Sequence, residues 1–96
     1  MTKFTYKPLP SGVTIGNSKI QGLGLFSTTL FSTNTILGIS HHIVEYDIIR
    51  TPLGGFVNHS LRPNCELVEN GTQYILRTIG SILPGDELTV KYSIEQ

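Results

Sequence analysis

Apolar and polar residues alternate over short runs along most of the chain, and glycine, proline and asparagine interrupt these runs. Alternation with a period of two puts successive side chains on opposite faces, so it is typical of β-strands with one buried face. The pattern predicts strands at residues 13–15, 36–39, 65–69, 72–79 and 88–92. The sequence therefore favours a fold of several short strands joined by turns.

Turn signals divide this pattern into elements. Asn70-Gly71 is a strong hairpin signal, because a two-residue type I′ turn needs positive φ at both central positions. Residues 16–18 are expected to end the first strand. Residues 43–49 are an apolar, strand-like segment, and residues 51–55, which include a proline and two glycines, are predicted to form a loop.

The composition agrees with a strand-rich fold. The chain contains no alanine, and Ile, Val and Thr together number 27, which favours strands over helices. Ten glycines and five prolines imply many turns. We therefore expect an all-β fold with little or no helix. The 96 residues fit one domain, at 13–96, preceded by an extended arm at 1–12 that contains Pro8 and Pro10.

The charge balance excludes one class of partner. Seven basic and seven acidic residues give a formal net charge of zero, and no basic run is present. The electrostatic surface of a nucleic-acid binder is therefore missing. No stretch approaches the length of a membrane span, and the first ten residues have no apolar run of signal-peptide length. We expect a soluble intracellular protein, cytoplasmic or, in a eukaryote, nuclear, with no nucleic-acid or membrane partner.

Cysteine and histidine usage does not favour a metal site. The single cysteine, Cys65, cannot form an intrachain disulfide, which indicates a reducing compartment. We interpret it as a small buried residue rather than a nucleophile. His41 and His42 are adjacent, so on a strand their side chains point to opposite faces and cannot bind one metal ion together. No zinc-type spacing is present, and no metal is expected.

Polar hydrogen-bonding groups gather at residues 56–65, within sequence that is otherwise apolar and β-prone. The segment carries the amides of Asn58 and Asn64, with His59 and Ser60 between them. Pro63 fixes its own φ and biases the preceding backbone toward extended geometry. We expect a strand that ends in a loop held by its own side chains, although an ordinary turn would use the same residue types.

Two further motifs favour a functional role for this segment over an ordinary turn. Gly22-Leu23-Gly24 stands before it, and Gly85-Asp86-Glu87-Leu88-Thr89-Val90-Lys91-Tyr92 stands after it. Together the three motifs resemble the SET domain family, whose members are protein-lysine methyltransferases that use S-adenosylmethionine. The motifs and their order are Gly-x-Gly, then Asn-His-Ser-x-x-Pro-Asn-Cys, then Gly-Asp-Glu-Leu-x-x-x-Tyr. The resemblance spans about residues 13–93. It implies an all-β, β-clip arrangement of short sheets with a knot-like C-terminal segment.

The resemblance implies a cofactor site built from the first two motifs. In the family the backbone matching Gly22, Leu23 and Gly24 lies against the methionine part of the cofactor. Asn58 is expected to hydrogen-bond the amino-acid part of S-adenosylmethionine, and the backbone of His59 is expected to face the adenine.

The resemblance also implies a catalytic tyrosine and a lysine channel. Tyr92 is expected to contact the cofactor and to place its hydroxyl near the transferring methyl group and the amine. Glu87 is expected to connect loops rather than to take part in the chemistry. The channel is expected to include Phe56, Tyr74, Val90 and Leu67, with His41, His42 or Tyr46 close to it.

The chain departs from the family in three places. Larger members have an insert before the Asn-His-Ser motif, whereas this chain reaches the motif within a few residues. Lys91 stands where many members have Asp, and Val90 stands where an aromatic residue tunes the number of methyl groups. A short channel requires closure, and a second copy is one way to provide it. We therefore expect a homodimer with its interface near Ile43, Val44, Ile48 and Ile49; the alternative is that these residues are core.

Three functions stay open at this point. The first is an S-adenosylmethionine-dependent lysine N-methyltransferase that acts on a protein substrate. The second is a catalytically weak or inactive SET-like module that binds cofactor or a partner, which the short length favours. The third is a β-clip binding or structural domain without a cofactor.

Overall fold

The computed structural model describes residues 9–92, so most of the expected arm at 1–12 lies outside the described residues. Among the described residues the fold is all-β with one short helix, as predicted. The elements, in chain order, are β1 (Val13–Asn17), β2 (Leu23–Ser27), β3 (Ile36–Val44), β4 (Asp47–Arg50), α1 (Pro52–Phe56), β5 (Asn58–His59), β6 (Cys65–Asn70), β7 (Gln73–Thr78) and β8 (Glu87–Val90).

The first sheet brings distant parts of the chain together. Its strand order is β1-β2-β8-β5, and its outer pair, β5 and β8, is parallel while the others are antiparallel. Asn58 lies opposite Thr89 and His59 lies opposite Val90. The central polar segment is therefore hydrogen-bonded directly to the C-terminal motif.

The second sheet contains the predicted hairpin. Its strand order is β4-β3-β7-β6, and all of its neighbours are antiparallel. β6 and β7 pair from Cys65 opposite Thr78 to Asn70 opposite Gln73. The two loop residues are Gly71 and Thr72, and of these Gly71 has positive φ, at 65°. The hairpin is therefore confirmed, but Asn70 ends β6 and is not a central residue of a type I′ turn; a glycine at the first central position is typical of a type II′ turn.

One hydrophobic core joins the two sheets. Its members come from strands of both sheets and from α1, and they include Leu25, Leu76, Leu88 and Val90. Cys65 lies in this core, and burial raises the pKa of its thiol to about 12. A thiol with so high a pKa is a poor nucleophile, so the interpretation of Cys65 as a buried small residue is confirmed.

Three local predictions were wrong. β1 does not end at residue 15, because Gly16 pairs with Gly24 of the neighbouring strand. Residues 43–49 are not one strand: β3 and β4 form a hairpin there, and Glu45 has φ of 55° at its turn. Residues 51–55 are not a loop, because α1 begins at Pro52 with Thr51 as its N-cap.

The cap and the packing of α1 explain why a glycine-containing segment is helical. The Thr51 hydroxyl oxygen accepts a hydrogen bond from the Gly54 N–H at 3.3 Å and donates one to the Ile39 carbonyl at 2.7 Å. A Cβ at Gly54 would overlap the Ser40 carbonyl of β3. Glycine therefore lets α1 lie directly on the second sheet. Within residues 9–92, no helix is long and apolar enough to cross a membrane.

Candidate active site

The parallel pair of β5 and β8 is held by side chains as well as by backbone. Asn64 donates from Nδ2 to the Glu87 carbonyl at 2.8 Å and accepts at Oδ1 from the Thr89 N–H at 2.9 Å. The Ser60 N–H donates to the Val90 carbonyl at 2.8 Å. One asparagine thus ties the loop after β5 to β8 across 25 residues of sequence. This arrangement places the Asn-His-Ser motif beside the C-terminal motif.

A polar cluster links the three sequence motifs. The Ser18 hydroxyl donates its one hydrogen to the Glu87 carboxylate, whose two oxygens lie 2.9 and 2.8 Å from Ser18 Oγ, and Asn58 Nδ2 donates to the same carboxylate at 2.9 Å. A Cβ at Gly24 would overlap the Glu87 carboxylate and come within 3.1 Å of Asn58 Nδ2. The second glycine of the Gly-x-Gly motif therefore makes room for this cluster. Glu87 connects loops, as expected.

The amide of Asn58 has a defined orientation. Its nitrogen faces four acceptors: Ser18 Oγ at 3.1 Å, the Gln21 carbonyl at 3.1 Å, the Leu23 carbonyl at 3.3 Å and Glu87 Oε2 at 2.9 Å. Only an NH₂ group satisfies such a set, so the oxygen Oδ1 must point the other way. Within residues 9–92, every hydrogen bond of the Asn58 side chain uses its nitrogen atom. Its oxygen is therefore available to a ligand donor.

Both the side-chain hydroxyl and the backbone N–H of Tyr92 form hydrogen bonds. Its hydroxyl donates to the Val57 carbonyl at 2.6 Å, and its N–H donates to His59 Nδ1 at 3.0 Å. The Tyr92 and His59 rings are stacked, with centroids 5.9 Å apart and planes 9° from parallel. Burial raises the pKa of the Tyr92 hydroxyl, and the positive charge of Arg50 opposes part of that rise. The hydroxyl therefore stays protonated at neutral pH and acts as a hydrogen-bonding group.

A cavity of about 480 Å³ opens beside Tyr92 and Asn58. This volume lies within the range of about 300–1,000 Å³ that is usual for small-molecule sites. The lining comes from the segment before β2, the end of β4, the end of α1, strand β5 and the chain after β8. Its residues are Gln21, Gly22, Leu23, Arg50, Gly55, Phe56, Val57, Asn58, His59 and Tyr92.

Most of the residues singled out from the sequence meet at this cavity. Six line it: Gly22, Leu23, Phe56, Asn58, His59 and Tyr92. Gly24 lies next to it through its contact with Asn58. Asn58 and Tyr92 are thus neighbours, as the resemblance implied.

The structure does not bring the other expected channel residues to the cavity lining. Val90 is fully buried in the core, and Leu67 packs against the same core. Tyr74 lies on β7 with its ring edge-on to His41 at 6.0 Å. Tyr46 is fully exposed at the β3–β4 turn. Of the expected channel wall, Phe56 alone lies among the cavity residues of the described chain.

Four lining residues were missed: Gln21, Arg50, Gly55 and Val57. Gln21, Gly55 and Val57 adjoin motif residues and could have been found by extending the motifs. Arg50 follows an apolar segment and belongs to no motif, so only the pairing of β4 with β3 reveals its position. Among the described residues, no group of three or more His, Cys, Asp or Glu side chains could hold a metal ion.

Comparison with known families gives one domain match. The model of the family described as the SET domain matches residues 41–93. This range contains the Asn-His-Ser and the C-terminal motifs and stops short of the Gly-x-Gly motif.

Curated relatives match less than half of the chain. It is 40% identical over 42 residues to histone-lysine N-methyltransferase Suv4-20 of Caenorhabditis elegans, a match that covers 44% of this chain and 15% of that protein. It is 44% identical over 41 residues to histone-lysine N-methyltransferase SMYD3 of Mus musculus, which covers 43% of this chain and 10% of that protein. The matched segment is thus a small part of the length of these relatives.

Solved structures share the fold over most of the described chain. A proposed histone methyltransferase of Plasmodium falciparum superposes with a TM-score of 0.70 at 22% identity, covering 88% of this chain and 95% of that one. The methyltransferase domain of human PR domain-containing protein 2 also gives 0.70, at 18% identity, covering 92% and 81%. At these identities the likeness is one of fold.

Proposed function

This chain belongs to the SET domain family, and from that premise we propose that it is an S-adenosylmethionine-dependent protein-lysine N-methyltransferase. The observation that carries the proposal is the meeting of the Gly-x-Gly, Asn-His-Ser and C-terminal tyrosine motifs at one cavity. Each motif contributes at least one lining residue. The hydrogen bond between Ser18 and Glu87, which bridges 69 residues of sequence, holds these distant parts of the chain together beside the cavity.

The cavity residues fit the methyl donor. When bound, S-adenosylmethionine supplies a methyl group activated on a sulfonium sulfur. Asn58 Oδ1 is an acceptor suited to the ammonium of the donor, since the nitrogen of the same amide is occupied by protein acceptors. Gly22, Leu23 and His59 line the same cavity; in this proposal the backbone of Gly22 and Leu23 would lie against the methionine part and the backbone of His59 would face the adenine.

The accepting lysine must be neutral to react. A lysine amine has an ordinary pKa of about 10.4, so its neutral form lies roughly 4 kcal/mol above the charged form at pH 7.4 in water. Phe56 and Tyr92 line the cavity, and burial of an amine beside these rings lowers its pKa because it removes the water that stabilises the charged form. The Tyr92 hydroxyl and the Val57 carbonyl, 2.6 Å apart, can orient the amine by hydrogen bonding.

The substrate class follows from the family and from the names of its relatives. Two relatives are named histone-lysine N-methyltransferases, so histones are the first protein substrates to test. A protein-lysine substrate of this kind would be consistent with an intracellular or nuclear location. The partner in this proposal is a lysine side chain on a protein.

A binding module without turnover is the second candidate. The observation that favours it is the 46% exposure of Tyr92, because a solvated channel favours the charged amine. In that case the chain would bind the donor and leave the methyl group in place.

Two measurements test the proposal in order. Calorimetric titration with S-adenosylhomocysteine, the demethylated product, should show one site with micromolar affinity. Incubation with S-adenosylmethionine labelled on the methyl group should then transfer label to core histones or to proteins of a lysate. Binding without transfer would favour the second candidate, and absence of binding would overturn both.

A further inference from the structure

Among the described residues 9–92 that line the cavity, Arg50 is the only one with a formal charge. It ends β4, and its backbone pairs with that of His41 at the edge of the second sheet. Its side chain is exposed rather than packed into the core. Within residues 9–92 the one ion pair joins Arg77 and Glu66, so no described carboxylate neutralises Arg50.

The position of the charge is close to the reacting end of the site. Burial raises the pKa of the Tyr92 hydroxyl and the charge of Arg50 opposes part of that rise; burial lowers the pKa of the His41 imidazole and the charge of Arg50 lowers it further. In the described part of the chain, none of the residues that line the cavity is acidic. One positive group therefore stands beside a site that, under the proposed function, must also accept a sulfonium and an amine. An unpaired guanidinium there would oppose the binding of both cations.

A ligand carboxylate would remove this conflict. The planar guanidinium presents two parallel N–H groups that match a carboxylate, and such charge-assisted pairs are strong and directional. Asn58 Oδ1, in the same lining, is an acceptor for an ammonium. An α-amino acid carries an ammonium and a carboxylate on one carbon, so this pair of groups is complementary to an amino-acid headgroup.

We propose that Arg50 binds the α-carboxylate of the methyl donor and thereby holds the amino-acid end of the donor in place in the cavity. This inference rests on the proposed function. In this role Arg50 is a binding and positioning residue, because it neutralises the carboxylate of the donor and orients the donor. The Tyr92 hydroxyl, in contrast, lies near the groups that react. Its contribution should therefore appear in affinity for carboxylate-containing ligands, whether or not methyl transfer is measured.

A pair of ligands separates this role from a structural one. Calorimetric titration compares S-adenosylhomocysteine with its decarboxylated analogue, which keeps the adenosine, the thioether and the amine. Replacing Arg50 by Gln should weaken S-adenosylhomocysteine binding by about 10- to 100-fold, the range expected for a hydrogen bond to a charged group. Binding of the decarboxylated analogue should not weaken and should tighten slightly, because the analogue has no carboxylate to pair with Arg50 and keeps an amine that the guanidinium repels.

Two further variants complete the design. Arg50→Lys keeps the charge but loses the two-pronged geometry, so it should recover part of the lost affinity. Arg62→Gln is the matched control, because Arg62 is also an exposed arginine and does not line the cavity. It should bind both ligands as the wild type does. The melting temperature of each variant shows whether it is folded.

The outcomes distinguish this inference from the function on which it rests. If Arg50→Gln binds S-adenosylhomocysteine as tightly as the wild type, the assignment of Arg50 is overturned and the proposed function stands. Equal weakening for both ligands would also overturn it, since it would indicate a structural effect. If the wild type binds neither ligand, the proposed function and this inference fail together.

Discussion

The two glycines of the early motif answer different physical requirements. Gly22 has φ of 49°, a left-handed backbone conformation that side chains disfavour, and nothing lies within 4 Å of where a Cβ would be. Gly24 is limited by space instead, because the Glu87 carboxylate and the Asn58 amide approach its backbone. Sequence alone predicted that this backbone would be approached closely, but it could not show that a protein carboxylate approaches Gly24.

Replacing Gly24 by Ala should destabilise the fold. The methyl group would displace Glu87 and separate it from Asn58 and Ser18, so partly buried polar groups would lose their partners. We expect a loss of roughly 2 kcal/mol, or about 10 °C in melting temperature. Thermal unfolding followed by circular dichroism measures this. Gly80→Ala is the matched control, because its Cβ meets open space; equal melting temperatures for the two variants would contradict the account.

Replacing Tyr92 by Phe tests the proposed catalytic role. The change keeps the ring that stacks on His59 and deletes the hydroxyl that donates to Val57. Methyl transfer should fall about 100-fold, roughly 3 kcal/mol, which is typical of losing one preorganised donor. S-adenosylhomocysteine binding should stay within about twofold. Tyr46→Phe, at the exposed β3–β4 turn, should leave transfer unchanged; full activity in Tyr92→Phe would remove the hydroxyl from the mechanism.

At the scale of elements, an element encoded by its own residues could be predicted from the sequence, whereas an element that depends on contacts with distant residues could not. The β6–β7 hairpin could be predicted because Gly71 marks its turn locally, although the turn lies at Gly71 and Thr72 and Asn70 pairs within β6. Helix α1 could not be predicted, because its two glycines disfavour a helix. The interactions that stabilise α1 are the Thr51 cap and the close packing of Gly54 on Ser40, and the second of these depends on β3. The β3–β4 turn was missed because Glu45 has φ of 55° without being glycine or asparagine.

β3 carries a buried histidine that should make stability depend on pH. Burial, together with the charge of Arg50, lowers the pKa of His41 below its ordinary value of 6.5. The unfolded chain then takes up a proton at a higher pH than the folded chain, so it binds more protons between the two pKa values. Stability is therefore retained above about pH 6.5 and is lost as pH falls from there through the lowered pKa of the folded state.

Denaturant unfolding at pH 7.5 and pH 5.5 measures this dependence. The wild type should lose stability on acidification, and His41→Gln should lose less, even if its absolute stability is lower. His42→Gln is the control, because the neighbouring side chain is only half-buried and should leave the wild-type dependence in place. An unchanged dependence in His41→Gln would rule out His41 as its source.

At the scale of the whole molecule, the β3–β4 hairpin is an apolar surface. The sequence left open whether Ile43, Val44, Ile48 and Ile49 are core or interface. None of the four belongs to the buried core, and Val44 and Ile49 are 49% and 50% exposed. The core alternative is therefore wrong. β4 is also an edge strand of its sheet, and edge strands are sites of pairing with other chains.

These observations support the proposal of a homodimer through the β3–β4 hairpin. Light scattering over a micromolar concentration series should show the mass rising toward twice the chain mass. Ile49→Lys should keep the protein monomeric, because it places a charge on the apolar edge. Leu83→Lys is the control, since Leu83 is similarly exposed in a turn outside this hairpin. A wild-type mass that stays at one chain throughout would contradict the proposal.

The parallel pairing of β5 with β8 also determines when the site forms during folding. β8 lies between β2 and β5, and its contacts bridge 69 residues at Ser18 and Glu87 and 35 residues at Val57 and Tyr92. Contacts this distant in sequence form slowly, because a long loop must close before they contribute any stabilisation. The hairpins of the second sheet can form from local sequence, whereas the cavity exists only once the last strand has docked. Ligand affinity should therefore appear in a single late kinetic step, and a growing chain that has not yet released β8 from the ribosome would have no donor site to occupy.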